Sequence, residues 1–227
     1  MRKVGILIAV LLALGAWTAP GQAAPVIELS EFAFNIDGTV TSGSAPGGVN
    51  LAGFNTTTGL GNVTVTIAGA GAHYVALFVD HDINAGTNTF FNEYGSVTGA
   101  PAAGLSWEID EPGYVFGNIY TNFQAGTLDN TIFGGVSDKI DDVSMALGWN
   151  FILADGETAA ITFTLGTAAP GGFSLAQIDL DSPAAIYFTT GLEIRGGEVP
   201  VPEPATTLLL MGSGLGWLAL LRKRMKR

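Results

Sequence analysis

Oxygen-bearing side chains alternate through Asp80-His81-Asp82-Ile83-Asn84-Ala85-Gly86-Thr87-Asn88, with Asn92-Glu93 just beyond. Calcium takes about six to eight oxygen ligands, which makes Asp80, Asp82, Asn84 and Glu93 the candidate set for a Ca²⁺ site. The spacing departs from an EF-hand loop. Ala85 stands at the turn-glycine position, and Phe91 stands where the bidentate Glu belongs. The bland alternative is a turn-rich hairpin loop whose Asp and Asn side chains cap backbone N–H groups.

Paired acids recur at Glu108-Ile109-Asp110-Glu111 and at Asp179-Leu180-Asp181. A glycosidase needs two carboxylates across a cleft, one held protonated by burial. Acids at strand spacing share one sheet face instead and normally line a solvated surface. His73 and His81 are the two histidines, and neither sits in a His-Glu-x-x-His spacing or has a Gly-x-Ser-x-Gly partner. Zero Cys removes thiol nucleophiles, disulfides and Cys-ligated zinc. No phosphate loop or dinucleotide fingerprint is present. The sequence predicts no catalytic constellation and therefore a non-enzymatic protein.

Trp107, Tyr114, Phe116, Tyr120 and Phe123 form an aromatic-rich neighbourhood. Flat aromatic faces serve as stacking platforms for sugars, which makes Trp107 and Tyr114 candidate ligand-binding residues. Aromatics at period two also suit a β core, and the core is the competing expectation.

Elements that would position these groups are strands. Val63, Val65 and Ile67 alternate with Thr64, Thr66 and Ala68; Leu105, Trp107 and Ile109 alternate with Ser106, Glu108 and Asp110. The longest row is Val143, Met145, Leu147, Trp149, Phe151 and Leu153, and Ile161, Phe163 and Leu165 make another. Tyr74 to Val79 is continuously apolar, as a strand covered on both faces requires. Asp37-Gly38, Pro46-Gly47-Gly48, Pro112-Gly113, Asp155-Gly156 and Pro170-Gly171-Gly172 punctuate the runs. No interval carries a helical stripe with capping signals. The expected fold is all-β, a single antiparallel β-sandwich or jelly-roll-like domain over residues 25–195.

Charge is distributed unevenly. Between Pro25 and Val199 lie 19 acidic residues against Lys139 and Arg195 alone. So negative a body repels phosphate backbones, which excludes nucleic acid as a partner. The charged fraction of 13% against 48% hydrophobic also argues against disorder.

Both termini read as processing segments. Arg2-Lys3, the apolar run Val4 to Trp17 and the small residues before Pro25 describe a secretory signal peptide over residues 1–24, with Ala23 and Ala24 flanking the cut. Near the other end, residues 196–204 form a Gly/Pro linker that contains Val201-Pro202-Glu203-Pro204. Two prolines around one Glu resist helix and sheet, leaving the segment extended and accessible. Residues 205–221 carry no charge; 17 residues at a rise of 1.5 Å reach roughly 26 Å, enough to cross a bilayer core. The basic tail 222–227 should stay cytoplasmic.

This triplet, apolar helix and Arg/Lys end together resemble the PEP-CTERM sorting signal of Gram-negative bacteria. The resemblance implies an exported protein held in the inner membrane until an exosortase-type enzyme cuts near Pro202, Glu203 and Pro204. These three would be a processing motif acted on by another protein. Two body segments, Asn88 to Gly95 and Trp107 to Tyr114, also resemble segments recurring in a subgroup of such proteins, a likeness that implies no activity. The resulting expectation is a structural or adhesive protein of the cell surface or exopolysaccharide, without a cofactor unless Ca²⁺ binds. The alternatives are a carbohydrate-binding or Ca²⁺-dependent binding module and, third, a secreted hydrolase.

Overall fold

The computed structural model describes residues 24–87, 89–182 and 184–196. Eleven strands are described: β1 (Ile27–Ile36), β2 (Thr39–Ser42), β3 (Val49–Asn55), β4 (Leu60–Ala68), β5 (Gly71–Ile83), β6 (Glu93–Thr98), β7 (Leu105–Asp110), β8 (Ser144–Leu153), β9 (Thr158–Gly166), β10 (Ser174–Asp179) and β11 (Ala185–Arg195). They form two sheets, ordered β2-β1-β5-β8-β7 and β3-β4-β9-β11-β10-β6, and every pairing within them is antiparallel. The protein is all-β.

The alternating rows face one another between the sheets. Val143, Met145, Leu147, Trp149, Phe151 and Leu153 from β8 and its approach meet Val63, Val65 and Ile67 from β4 and Ile161, Phe163 and Leu165 from β9 in one buried cluster. Each strand places alternate residues on one face, so the period read in the sequence becomes a shared apolar layer. The sheets are also tied directly. Phe32 of β1 meets Phe54 of β3 edge-on at 5.7 Å, and Trp149 Nε1 donates to Thr190 Oγ1 at 3.1 Å.

Strand β5 is covered on both sides, as its continuous apolar run demands. Val75, Leu77 and Val79 point into the inter-sheet layer. Ala76 and Phe78 point outward into a second cluster with Ala33, Ala146, Ile119, Phe123 and Leu128. Covering that outer face is a helix, α1 (Ile119–Ala125), which the sequence reading did not foresee. Its apolar signal is only Ile119 and Phe123 at i,i+4, and Asn118 makes no side-chain cap to it. Tyr120 and Phe123 thus belong to a helix and not to a period-two strand. Buried Asn35 anchors the end of α1, its Nδ2 donating to the carbonyls of Phe123 at 2.7 Å and Gln124 at 3.0 Å.

Of the turn signals, Asp37-Gly38 is the tightest. Both residues have positive φ, 51° and 82°, the geometry that lets a two-residue loop follow the twist of β1 and β2.

Candidate functional site

Asp80 and Asp82 leave β5 on its outer face, the face of Phe78, and β5 breaks the apolar run there. Asp80 Oδ1 accepts from Ser144 Oγ at 2.7 Å, and burial pushes its carboxyl up to about 6. Asp82 accepts a hydrogen bond from Ser30 Oγ. Asn84 turns away in a left-handed conformation, φ 57°, donating to Asp179 Oδ2 at 3.0 Å and Ser182 Oγ at 3.1 Å while accepting from Val26 N. Glu93 is fully buried at the start of β6, accepting from Ile83 N at 3.1 Å and from Gln177 Nε2. The four expected calcium ligands therefore do not converge on one point. Among the described residues, no three His, Cys, Asp or Glu side chains are grouped to hold one metal ion.

The acid pairs are structural in their contacts. Burial pushes Asp179 up, but donors from Ser182 (2.7 Å), Asn84, the Asp181 N–H (2.9 Å) and Asn92 (3.1 Å) outweigh it and hold the carboxyl below its usual range. Asp179 thereby pins the loop after β5 to the loop after β10. Glu108 and Asp110 are buried, where same-face acids were expected to be solvated. Glu108 accepts both contacts from Asn122 Nδ2, at 2.9 and 3.1 Å, and one from Asp129 N. Asp110 accepts from the N–H groups of Glu111 and Asn118. These two acids hold α1 and its entry loop against β7. Burial, then the charge of Asp129, pushes Glu108 up to about 7.

The histidines are separated. His73 lies near the β1–β2 turn with Nδ1 against Asp37 Oδ2 and Nε2 against the Gly69 carbonyl, both at 2.9 Å; the Asp37 contact raises its pKa. His81 is fully buried beside Gly59, and burial pushes its imidazole down to about 4.

Nor do Trp107 and Tyr114 form one platform. Trp107 lies on the inner side of β7, half-buried against the core, its ring 6.3 Å from Phe173. Tyr114 sits 65% exposed on the loop after β7, 6.0 Å from the Tyr120 ring of α1.

Tyr114 instead joins an apolar pocket of about 240 Å³ with Phe90, Phe91, Pro112, Val115 and Phe116. Two loops build it: the one after β5 brings Phe90 and Phe91, whose rings are 4.0 Å apart, and the one after β7 brings the rest. Phe91, Tyr114, Val115 and Phe116 are all more than half exposed. Large apolar side chains clustered at a surface mark a binding surface more often than singly scattered ones do. Two carboxylates, Glu111 and Asp142, complete the lining. Glu111 is paired with Lys139, which also reaches Asp141 at 3.1 Å and lies 4.8 Å from the centre of the Phe133 ring. Among the described residues Asp142 has no such cation, and its buried Oδ1 has no hydrogen-bond partner. Burial, then the charges of Asp80, Asp82, Asp141 and Glu111, pushes its carboxyl up to about 7. Sequence reading singled out Tyr114 and Phe116 of this lining. It missed Phe90, Phe91 and Asp142, which only the approach of two distant loops brings to them.

The processing residues Pro202, Glu203 and Pro204, the segment 205–221 and Ala23 lie outside the described residues; Ala24 is exposed at their start. Among the described residues no helix is long and apolar enough to cross a membrane. The sequence profile of the PEP-CTERM protein-sorting motif matches residues 200–224. The chain carries a PEP-CTERM protein-sorting motif. A PEP-CTERM motif indicates an exported protein sorted by an exosortase, with a membrane-anchored precursor. The match covers the sorting segment and leaves the β domain without an assigned role. No curated protein and no solved structure is significantly similar to the chain.

Proposed function

We propose that the chain is a non-enzymatic structural or adhesive protein of the Gram-negative cell surface or exopolysaccharide. The observation that carries this reading is the sorting motif at residues 200–224 following a β-sandwich whose buried acids are engaged in holding loops. Glu108, Asp110 and Asp179 each accept two or more hydrogen bonds from their own scaffold, which suits fixed supports better than acids poised at a cleft. In this account a signal peptide directs export, residues 205–221 hold the precursor in the inner membrane, and cleavage near Pro202-Glu203-Pro204 releases the body. The body needs no cofactor. Deleting the chain from its host should reduce attachment of cells to their matrix, with the full chain restoring it and a chain lacking residues 200–224 failing to do so. Unchanged attachment on deletion would contradict the role.

A second reading, a carbohydrate-binding module, is favoured by one feature: the exposed aromatic pocket of Phe90, Phe91, Tyr114 and Phe116. Rings presented at a surface offer the apolar faces on which sugars stack, and adhesion to a polysaccharide matrix needs such a contact.

A further inference from the structure

Resting on that carbohydrate-binding reading, we propose that the pocket formed by Phe90, Phe91, Tyr114 and Phe116 over Asp142 is a subsite for an amine-bearing sugar, a hexosamine unit with a free ammonium group. The chemistry of the lining selects this class. Aromatic rings accept the C–H face of a sugar, and they also attract a cation through their electron-rich faces. A volume of about 240 Å³ is below the roughly 300–1,000 Å³ that encloses a drug-sized ligand, so the pocket takes one ring of a chain and not several.

Charge decides between neutral, anionic and cationic sugars. Glu111 already has its counter-charge in Lys139. Asp142 lines the same pocket and has no counter-charge among the described residues, where its Oδ1 accepts no hydrogen bond. A carboxylate so placed gains from an ammonium group both a hydrogen bond and relief from the negative charges of Asp80, Asp82 and Asp141. The surrounding field has the same sign. Between Pro25 and Val199 the cations are Lys139 and Arg195, and both are committed, Lys139 to Glu111 and Asp141 and Arg195 to Glu193. An approaching uronate or phosphate polymer meets repulsion, while a polyamine sugar chain is steered inward.

Titration calorimetry on the exported protein purified from its host, in about 0.15 M salt, separates the possibilities. Three probes are compared: a free-amine glucosamine tetramer, its fully N-acetylated counterpart and an oligo-uronate. Binding of the free-amine tetramer is expected, weakened by about tenfold or more in Asp142→Asn and in Phe116→Ala, and unchanged in Asp155→Asn on the distant β8–β9 turn. Phe116 is exposed, so Phe116→Ala should melt like the parent. Equal binding of the acetylated tetramer would overturn the amine specificity and leave a sugar-binding pocket standing. Loss of affinity in Asp155→Asn equal to that in Asp142→Asn would reduce the effect to overall charge and overturn the subsite. Binding of no glycan would overturn both the inference and the carbohydrate-binding reading. A dimer that Phe116→Ala dissociates would assign the pocket to a second copy of the chain instead.

Discussion

Gln177 and Glu93 meet inside the sandwich, Gln177 Nε2 donating to Glu93 Oε2 while the same nitrogen donates to the His81 carbonyl at 2.6 Å. Both side chains are fully buried on adjacent strands, β10 and β6. A carboxyl in that position is costly to ionise, and burial pushes Glu93 up to about 8 despite the hydrogen bonds from Gln177 and Ile83. The inter-sheet layer, apolar along most of its length, is polar at this end.

Glu93 and three other buried or half-buried acids make stability depend on pH with a definite sign. Glu93, Glu108, Asp142 and Asp80 have folded pKa values raised to about 8, 7, 7 and 6. The folded state holds protons that the unfolded chain releases, so their contribution is full below the unfolded values and is lost as pH rises through the folded ones. His81 opposes this, because its lowered pKa removes stability as pH falls from 6.5 toward about 4. Above pH 6.5 only the falling contributions remain, with His73, raised by Asp37, acting in the same direction. Thermal unfolding should therefore show a falling midpoint between pH 6.5 and 8.5. Glu93→Gln should flatten that slope most. A midpoint that rises over the window would contradict the burial assigned to these acids.

Gly59 is placed so closely that it admits no side chain. Its φ is +66°, and an added Cβ would meet Leu29 Cδ1 and His81 Cδ2 at 2.8 Å as well as His81 Nε2. Backbone strain and overpacking against a fully buried ring act together. Gly59→Ala should destabilise by about 2–4 kcal/mol in denaturant unfolding, whereas Gly191→Ala, which meets nothing within 4 Å, should cost well under half of that.

Asp179 carries the loops after β5 and β10. Asp179→Ala removes the acceptor of Asn84, Asn92 and Ser182 and leaves those donors to find water. The expected cost is about 2–4 kcal/mol, with limited proteolysis moving to residues 84–92 and 180–184. A variant as stable and as resistant as the parent would show that the loops hold without it.

Legibility in the sequence followed periodicity. The row Val143 to Leu153 and the triplets in β4 and β9 could be read because a strand with one buried face writes its geometry into every second residue. The double covering of Tyr74 to Val79 was visible for the same reason, yet α1, which supplies one of the covers, was not. A seven-residue helix held by Asn35, Glu108 and Asp110 from other elements needs neither a stripe nor a cap of its own. The placement of the calcium candidates was not legible, because spacing along a strand cannot show that Asn84 adopts a left-handed turn and that Glu93 enters the interior of the other sheet. The aromatic pocket joins residues more than twenty positions apart, and no local pattern announces that Phe91 and Phe116 share a wall. The sorting motif at residues 200–224 was the most legible of all, since a sorting enzyme must read it as linear sequence.

Whether the exported chain is trimmed at both ends is read most directly by intact-mass analysis of the protein recovered from its native host. The account predicts a chain that begins at Ala24 and ends close to Pro202-Glu203-Pro204, without the apolar segment and its basic end. Recovery of all 227 residues at 23.4 kDa would contradict it.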